Sequence, residues 1–182
     1  VGMLGLSELS TRLPSILAGT IGIVLIYYLA VALFHKRSIG VFAAIFFAVS
    51  PWSIFFSRAA YEVNVATTLF LAAVLLLIHA TDKKRTVWLP IFAGLLFGLT
   101  LFTYHSYIIF TPLFVFAYCI FYARKLGKKI LYLLIPFGLF LLISGYSNLN
   151  AGSNKFSNTT IFANQNVIYN RVEHFRKDTI NK

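Results

Sequence analysis

Long uninterrupted stretches of apolar residues dominate the chain, and short polar segments separate them. A helix that crosses about 30 Å of hydrocarbon needs roughly 20 apolar residues. Six stretches approach or reach that length, at residues 14–34, 39–56, 63–80, 87–103, 107–122 and 130–146. They do not alternate with polar residues as barrel strands would, and only helices or closed barrels satisfy the backbone in lipid. The pattern therefore predicts an all-α, polytopic transmembrane bundle of about six helices.

Basic residues are distributed unevenly over the loops between these runs. The loops after the first, third and fifth runs carry clusters of Lys and Arg: Lys36 and Arg37, then Lys83, Lys84 and Arg85, then Arg124, Lys125, Lys128 and Lys129. The loop after the second run has only Arg58 and Glu62, and the loop after the fourth has no Lys or Arg. Because cytoplasmic loops are enriched in Lys and Arg, the first, third and fifth loops are predicted to be cytoplasmic. The N-terminal segment, the second and fourth loops and the C-terminal tail are then predicted to lie outside.

Proline and glycine positions refine these predicted helices. Pro14 is expected in a first helical turn, where its missing N–H costs little. Pro51 and the prolines of the last two runs lie inside apolar stretches, where we expect kinks. Gly94 and Gly98 form a small-xxx-small pair, which favours close packing of one membrane helix against another.

Three regions follow from the polarity of the chain. Residues 1–13 are predicted to be an outer juxtamembrane segment, residues 14–146 the six-helix membrane region, and residues 147–182 an outer polar tail. From Thr160 onward, apolar residues recur every three or four positions, which predicts a short amphipathic helix in the tail. Because the chain begins at Val1, we interpret it as a piece of a longer protein.

Composition supports a membrane protein and argues against a nucleic-acid-binding protein. Hydrophobic residues make up 59% of the chain and charged residues only 12%, whereas soluble domains carry about 25% charged residues. The net charge of +11 would ordinarily suggest nucleic acid as a partner. The basic residues are concentrated between apolar runs, however, where orientation signals belong, so no nucleic-acid partner is expected.

A few ionisable and polar residues lie near the predicted outer boundary, and such residues are costly and usually functional at membrane depth. Arg58 and Glu62 are four residues apart, a spacing that places them on one face of a helix where they can pair. One interpretation is an interfacial ion pair that anchors two helices. The other is an anion and metal site, with Arg58 on a phosphate and Glu62 orienting Arg58 or a metal. Asn64 follows directly and adds a polar group.

The loop between the fourth and fifth runs is short and contains Tyr104 and His105. His105 can bind phosphate, ligate a metal or shuttle protons. The competing interpretation is an interfacial aromatic belt that includes a histidine. Arg12 lies just before the first run, so the predicted topology brings it to the same compartment as Arg58 and His105. We expect one outer site built from the ends of several helices.

Three motifs resemble the GT-C-type glycosyltransferases that use polyprenyl-phosphate sugars, a group that includes the protein O-mannosyltransferases and the aminoarabinose transferases. The first is Leu9-Ser10-Thr11-Arg12-Leu13-Pro14-Ser15. The second is Ser50-Pro51-Trp52 followed by Phe56-Ser57-Arg58-Ala59-Ala60-Tyr61-Glu62. The third is Thr103-Tyr104-His105-Ser106-Tyr107 followed by Phe110-Thr111-Pro112-Leu113. The resemblance covers residues 5–120 and rests on the order and spacing of the motifs as well as on the predicted topology.

The resemblance implies a multi-pass membrane enzyme, in the plasma membrane of a bacterium, with an outward-facing site. It implies transfer of a sugar from a lipid-linked phosphate donor to a protein, lipid or glycan acceptor, among the surrounding membrane lipids. By position, Arg58 would contact the donor phosphate and Glu62 would be a catalytic acidic residue, while Arg12, Asn64, Tyr104 and His105 would bind substrate. The general-base Asp of the family is expected upstream of Val1. No cofactor is specified, and a divalent metal stays open because no ligand spacing points to one.

Two other functions compete with sugar transfer. A transporter or lipid flippase should have broken helices and ionisable groups near the bilayer midplane, whereas the charged groups here lie at helix ends. A membrane scaffold or polymerase subunit needs neither an outer cavity nor one that reaches the bilayer centre. An outer cavity lined by Arg58, Glu62 and His105 would favour the enzyme over both.

Overall fold

A computed structural model of the protein describes residues 8–59, 61–81 and 87–150. Within these ranges every regular element is an α-helix, which confirms the predicted all-α class. The seven helices found there are α1 (Glu8–Phe34), α2 (Arg37–Val49), α3 (Pro51–Arg58), α4 (Glu62–Ala80), α5 (Trp88–Thr103), α6 (Tyr107–Leu126) and α7 (Lys129–Asn150). The chain divides into two compact units, Val1–Leu141 and Leu142–Lys182, and the packing described below lies within the first.

Helix length and composition separate strong from weaker membrane spans. Three helical segments are long and apolar enough to cross a membrane: Arg12–Phe34, Glu62–Ala80 and Lys129–Ser147. The α2–α3 pair makes a fourth if its two parts form one bent span. Helix α5 and the apolar part of α6 are helical as predicted but shorter. Of the six predicted spans, three or four therefore meet the length criterion within the described part of the chain.

The second apolar run is not one straight helix, as its unbroken hydropathy suggests, but two helices bent by 55°. The break falls at Ser50, whose backbone is not helical (φ −56°, ψ 124°), and Pro51 begins α3. Proline lacks the N–H that would continue the helix, and it disfavours helical backbone at the preceding residue. The kink expected at Pro51 is thus confirmed. We call the bend formed by residues 49–51 the elbow.

Two helix ends differ from the sequence-based expectation. Pro14 is not in a first helical turn, because α1 already begins at Glu8 and contains Pro14 in its interior. Membrane helices tolerate an internal proline since neighbouring groups re-satisfy the freed carbonyl. Helix α7 continues to Asn150, beyond the predicted end at residue 146. The amphipathic helix predicted after Thr160 lies outside the described residues.

The core of the bundle is small and is formed mainly by α4, α5 and their neighbours. Helix α4 packs against α5 and α1, and α1 also packs against α2 and α3. Phe70 of α4 contacts the rings of Phe97 and Phe114 at centroid distances of 5.4 and 5.0 Å. Many large apolar side chains face outward instead, such as Phe121, which is 83% exposed. Such a surface suits lipid, because lipid tails are as apolar as the side chains they surround.

The pair Gly94 and Gly98 brings α5 directly onto α7. A Cβ atom on Gly94 would collide with the carbonyl oxygen of Leu133 and would lie 2.8 Å from Cγ of Pro136. A Cβ atom on Gly98 would lie 2.5 Å from the ring of Phe140. Neither space can hold a methyl group without movement, so the packing role predicted for the two glycines is confirmed.

Helices α1, α4 and α6 run in the same direction. The hydroxyl of Thr68 in α4 donates to the carbonyl of Ala18 in α1 at 2.9 Å, and the hydroxyls of Thr67 and Tyr107 lie 3.1 Å apart. Farther along, the hydroxyls of Thr81 and Tyr118 lie 2.9 Å apart. The starts of all three helices therefore share one end of the bundle. This end, which we call the polar end, holds Arg12, Arg58, Glu62, Asn64, Tyr104 and His105.

The opposite end of the bundle carries the lysine-rich segments. Lys36 and Arg37 follow the end of α1, and Lys125 lies near the end of α6, over the ring of Tyr122 at 5.5 Å. Lys129 at the start of α7 donates to the carbonyl of Ala80, the last residue of α4, at 3.0 Å. The separation of these basic residues from the polar end matches the separation predicted from loop charges.

Candidate functional site

A cleft of about 610 Å³ lies at the polar end, between the start of α1 and the elbow. It is lined by Arg12, Val49, Pro51, Ile54, Phe55, Arg58 and Ala59. Because two of its side chains are guanidinium groups and none is acidic, we call it the cationic cleft. Each arginine is the kind of group that binds phosphate through two parallel hydrogen bonds.

The two arginines come from helices that are distant in the chain but packed together. Arg12 lies near the start of α1 and Arg58 is the last residue of α3, and both side chains are exposed. A basic residue at a helix C-terminus is favourably placed against the negative end of the helix dipole. At the elbow the chain bends by 55°, and α3 packs against α1 after the bend.

The remaining wall of the cationic cleft is apolar. Ile54 and Phe55 in α3 are 45% and 56% exposed, and Val49 lies at the end of α2. A cleft with cationic groups beside exposed apolar side chains suits an amphiphilic anion, whose charged head and hydrocarbon part need different surroundings.

Asn64 does not line the cationic cleft but lies behind it, in the interior. The side chain is 7% exposed. Its Nδ2 donates to the backbone carbonyl of Ser15 at 2.7 Å and lies 3.3 Å from the hydroxyls of Ser15 and Ser57. A buried amide in a membrane protein needs such partners, because an unsatisfied polar group in hydrocarbon is costly.

Glu62 lies at the polar end but outside the cationic cleft. It is the first residue of α4, whereas Arg58 is the last of α3, so the two residues do not share a helix. No ion pair joins these two residues, both of which the structure describes, although their spacing suggested one. The exposed carboxylate instead stands at the positive end of the α4 dipole, where negative charge is stabilised.

Tyr104 and His105 form the turn between α5 and α6 and also lie outside the cationic cleft. Tyr104 caps α5, and its N–H donates to the carbonyl of Thr100 at 3.3 Å. Its carbonyl and that of His105 accept the N–H groups of Tyr107 and Ile108, each at 3.1 Å. Since Tyr107 also contacts Thr67 of α4, the turn is tied to the same end of the bundle as Glu62. Both Tyr104 and His105 are exposed there.

The structure thus brings together only part of the predicted site. Of the expected substrate-binding residues, Arg12 and Arg58 share a cleft, while Asn64, Tyr104 and His105 do not line it. Sequence reasoning did not identify the residues of the apolar wall or the serine partners of Asn64. Ser15 and Ser57 did carry a signal, because each lies within three positions of one of the arginines.

A cleft of about 990 Å³ between α6 and α7 is lined by apolar residues such as Leu113, Phe116 and Phe137, together with Cys119, and has no charged lining residue. In the described part of the chain, no group of three or more His, Cys, Asp or Glu side chains is placed to hold a metal ion.

The fold and the cleft define a class: an integral membrane protein with several membrane-spanning helices and a cationic cleft at one end of the bundle. Residues 2–146 match the family described as dolichyl-phosphate-mannose-protein mannosyltransferase, and the chain belongs to this family. It is a GT-C-type glycosyltransferase family, so the resemblance found in the sequence motifs is confirmed. Searches of curated proteins and of solved structures returned no significant match.

Proposed function

We propose that the protein transfers a sugar from a polyprenyl-phosphate donor to a protein, lipid or glycan acceptor at the outer face of a bacterial plasma membrane. Family membership supports the donor class. The observation that carries the assignment of the site is that Arg12 and Arg58 line one cleft beside apolar side chains. In this proposal the donor phosphate lies between the two guanidinium groups.

Charge development during the reaction explains why the site would need two cations. The acceptor oxygen forms a bond to the anomeric carbon as the bond from that carbon to the phosphate oxygen breaks, and the acceptor proton passes to a base. The phosphodiester thereby becomes a phosphomonoester and gains about one unit of negative charge. Arg12 and Arg58 would interact more strongly with this product-like phosphate than with the intact donor, and such differential binding lowers the barrier.

The other predicted site residues are assigned to the sugar and the acceptor. Glu62, Tyr104 and His105 lie at the polar end but not in the cationic cleft, so their contacts in this proposal are not with the phosphate. Glu62 is kept as an acidic residue of the site. The proposal assigns the role of general base to none of the described residues.

A donor-specificity assay tests the proposed activity. Membranes that contain the full-length protein are supplied with a polyprenyl-phosphate-linked radioactive mannose or, separately, with the same sugar on a nucleotide. We expect label to be transferred to protein, lipid or glycan from the lipid-linked donor only. Transfer of label from the nucleotide sugar in membranes that lack polyprenyl phosphate would contradict the proposal. Movement of the lipid-linked donor from one leaflet of a vesicle to the other, without any transfer of its sugar, would also contradict it.

The outward orientation is tested by labelling single cysteines. In a Cys119→Ala background, Ser106→Cys marks the polar end and Lys36→Cys marks the basic end; both positions are exposed. A membrane-impermeant maleimide added to intact cells is expected to label Ser106→Cys, and to label Lys36→Cys only after permeabilisation. The reverse result would place the cationic cleft in the cytoplasm.

A further inference from the structure

A buried polar cluster lies directly behind the cationic cleft and links three helices. Asn64 of α4 donates through Nδ2 to the backbone carbonyl of Ser15 in α1 at 2.7 Å. The same nitrogen lies 3.3 Å from the hydroxyl of Ser57 in α3. One amide group therefore contacts both helices that supply the arginines of the cleft.

The cluster also joins α1 to α3 directly. The hydroxyl of Ser15 donates to the carbonyl of Phe56 at 2.8 Å, and the hydroxyl of Ser57 donates to the carbonyl of Ser53 within α3 at 2.8 Å. Ser15 lies three residues after Arg12, and Ser57 immediately precedes Arg58. The hydrogen bond between Ser15 and Phe56 thus ties α1 to α3 close in sequence to the two arginines.

We propose that Asn64 is a positioning residue, which holds Arg12 and Arg58 at the separation that one phosphate group requires; this inference rests on the proposed function. Electrostatic stabilisation is effective when the charged groups are held in place before the reaction begins. Without the amide, the carbonyl of Ser15 loses its side-chain donor, and α4 is no longer bonded to α1 and α3. Of the cluster's contacts between α1 and α3, the Ser15–Phe56 hydrogen bond remains, so the two helices can shift against each other more easily. A shift of about 1 Å is enough to weaken a two-point clamp substantially.

Gly19 offers an independent way to disturb the same cluster. A Cβ atom at this position would collide with the hydroxyl oxygen of Ser57 and would lie 3.3 Å from Nδ2 of Asn64. Gly22, one turn farther along α1, has ordinary space: the nearest atoms to an added Cβ are Cε1 of Phe47 at 3.4 Å and the hydroxyl of Thr68 at 3.6 Å. Gly19→Ala and Gly22→Ala are therefore the same chemical change at two buried positions of one helix. The methyl group of the first meets the side chains of Ser57 and Asn64, and that of the second does not.

The test compares binding of a polyprenyl phosphate with binding of the corresponding polyprenol, which lacks the phosphate, to the purified full-length protein in detergent. Asn64→Ala and Gly19→Ala are expected to weaken phosphate binding about tenfold or more, because the clamp is misplaced. Binding of the polyprenol should stay unchanged in both variants.

Two control variants separate positioning from general stability. Gly22→Ala should leave phosphate binding unchanged. Thr111→Val removes a buried contact of 3.0 Å between the hydroxyls of Thr111 and Thr100, which links α6 to α5 away from the cleft. It should lower the thermal stability of the protein without altering phosphate affinity.

The outcomes distinguish this inference from the proposed function. If Arg58→Ala weakens phosphate binding but Asn64→Ala and Gly19→Ala do not, the positioning role is wrong and the function stands. If Arg58→Ala leaves phosphate binding intact, the phosphate site on which the proposed function places the donor is wrong. Equal loss of phosphate and polyprenol binding in the Asn64 and Gly19 variants would indicate a merely structural role and overturn the inference. The positioning role is supported if adding Asn64→Ala to Arg58→Ala causes little further loss of phosphate affinity, because the two residues then act through one interaction.

Discussion

Replacing Arg58 by alanine is expected to lower the rate of sugar transfer at least about a hundredfold, the usual effect of removing one preorganised group that stabilises a developing negative charge. Arg58 is the last residue of α3 and is exposed in the cationic cleft, so its removal leaves no buried group without a partner. Expression and membrane insertion should therefore match the unmodified protein. The measurement is initial transfer rate with a polyprenyl-phosphate sugar, normalised to the amount of protein in the membrane.

Two matched variants sharpen this prediction. Arg58→Lys keeps the charge but loses the planar fork of two parallel hydrogen bonds, so an intermediate rate is expected. Arg37→Ala removes an exposed arginine at the start of α2, at the basic end of the bundle, and should leave the rate unchanged. Unaltered transfer by Arg58→Ala would exclude Arg58 from the site, and an equal loss in Arg37→Ala would point to a general effect of net charge.

Replacing Gly94 by alanine is expected to destabilise the bundle. The added methyl group would meet the backbone carbonyl of Leu133 and the ring of Pro136, neither of which can rotate away. Overpacking of this kind typically costs about 1–3 kcal/mol. For a chain of this size that corresponds to a decrease in Tm of roughly 3–10 °C. The measurement is thermal unfolding of the detergent-solubilised protein.

Gly138→Ala is the matched control for this substitution. Gly138 lies inside α7, and an added Cβ there would meet no atom within 4 Å. Alanine is favoured over glycine in a helix by about 1 kcal/mol, so the Tm should stay the same or rise slightly. A decrease in Tm for Gly138→Ala equal to that for Gly94→Ala would show that helical glycines matter here for a reason other than the α5–α7 contact.

The number and placement of the helices were largely predictable, because they depend on local properties of the chain. Apolar length determines which segments are helical in lipid, and each of the six predicted runs is helical in the structure. The elbow was expected at Pro51 because proline cannot continue a helix. The start of α1 was misplaced by several residues, since hydropathy does not register the polar turns that precede Pro14.

The composition of the site was only partly predictable. Loop charges indicated that Arg12, Arg58 and His105 belong to one end of the bundle, and the helix directions agree with this. Which of them meet in a cleft depends on how each helix is rotated and how closely it approaches its neighbours. Those quantities are determined by packing, such as the contact of Gly19 with Ser57, and hydropathy carries no information about them.

The sequence by itself therefore determined the class of the protein: a helical membrane protein whose motifs indicate a lipid-phosphate-dependent glycosyltransferase. Sequence spacing also suggested that Arg58 pairs with Glu62, but the end of α3 and the start of α4 place them on different helices. Only the tertiary structure decided that Arg58 shares a cleft with Arg12 and that Asn64 lies behind them. The physical reason is that hydrophobic length acts along a single segment, whereas a site between helices depends on contacts between residues far apart in the chain.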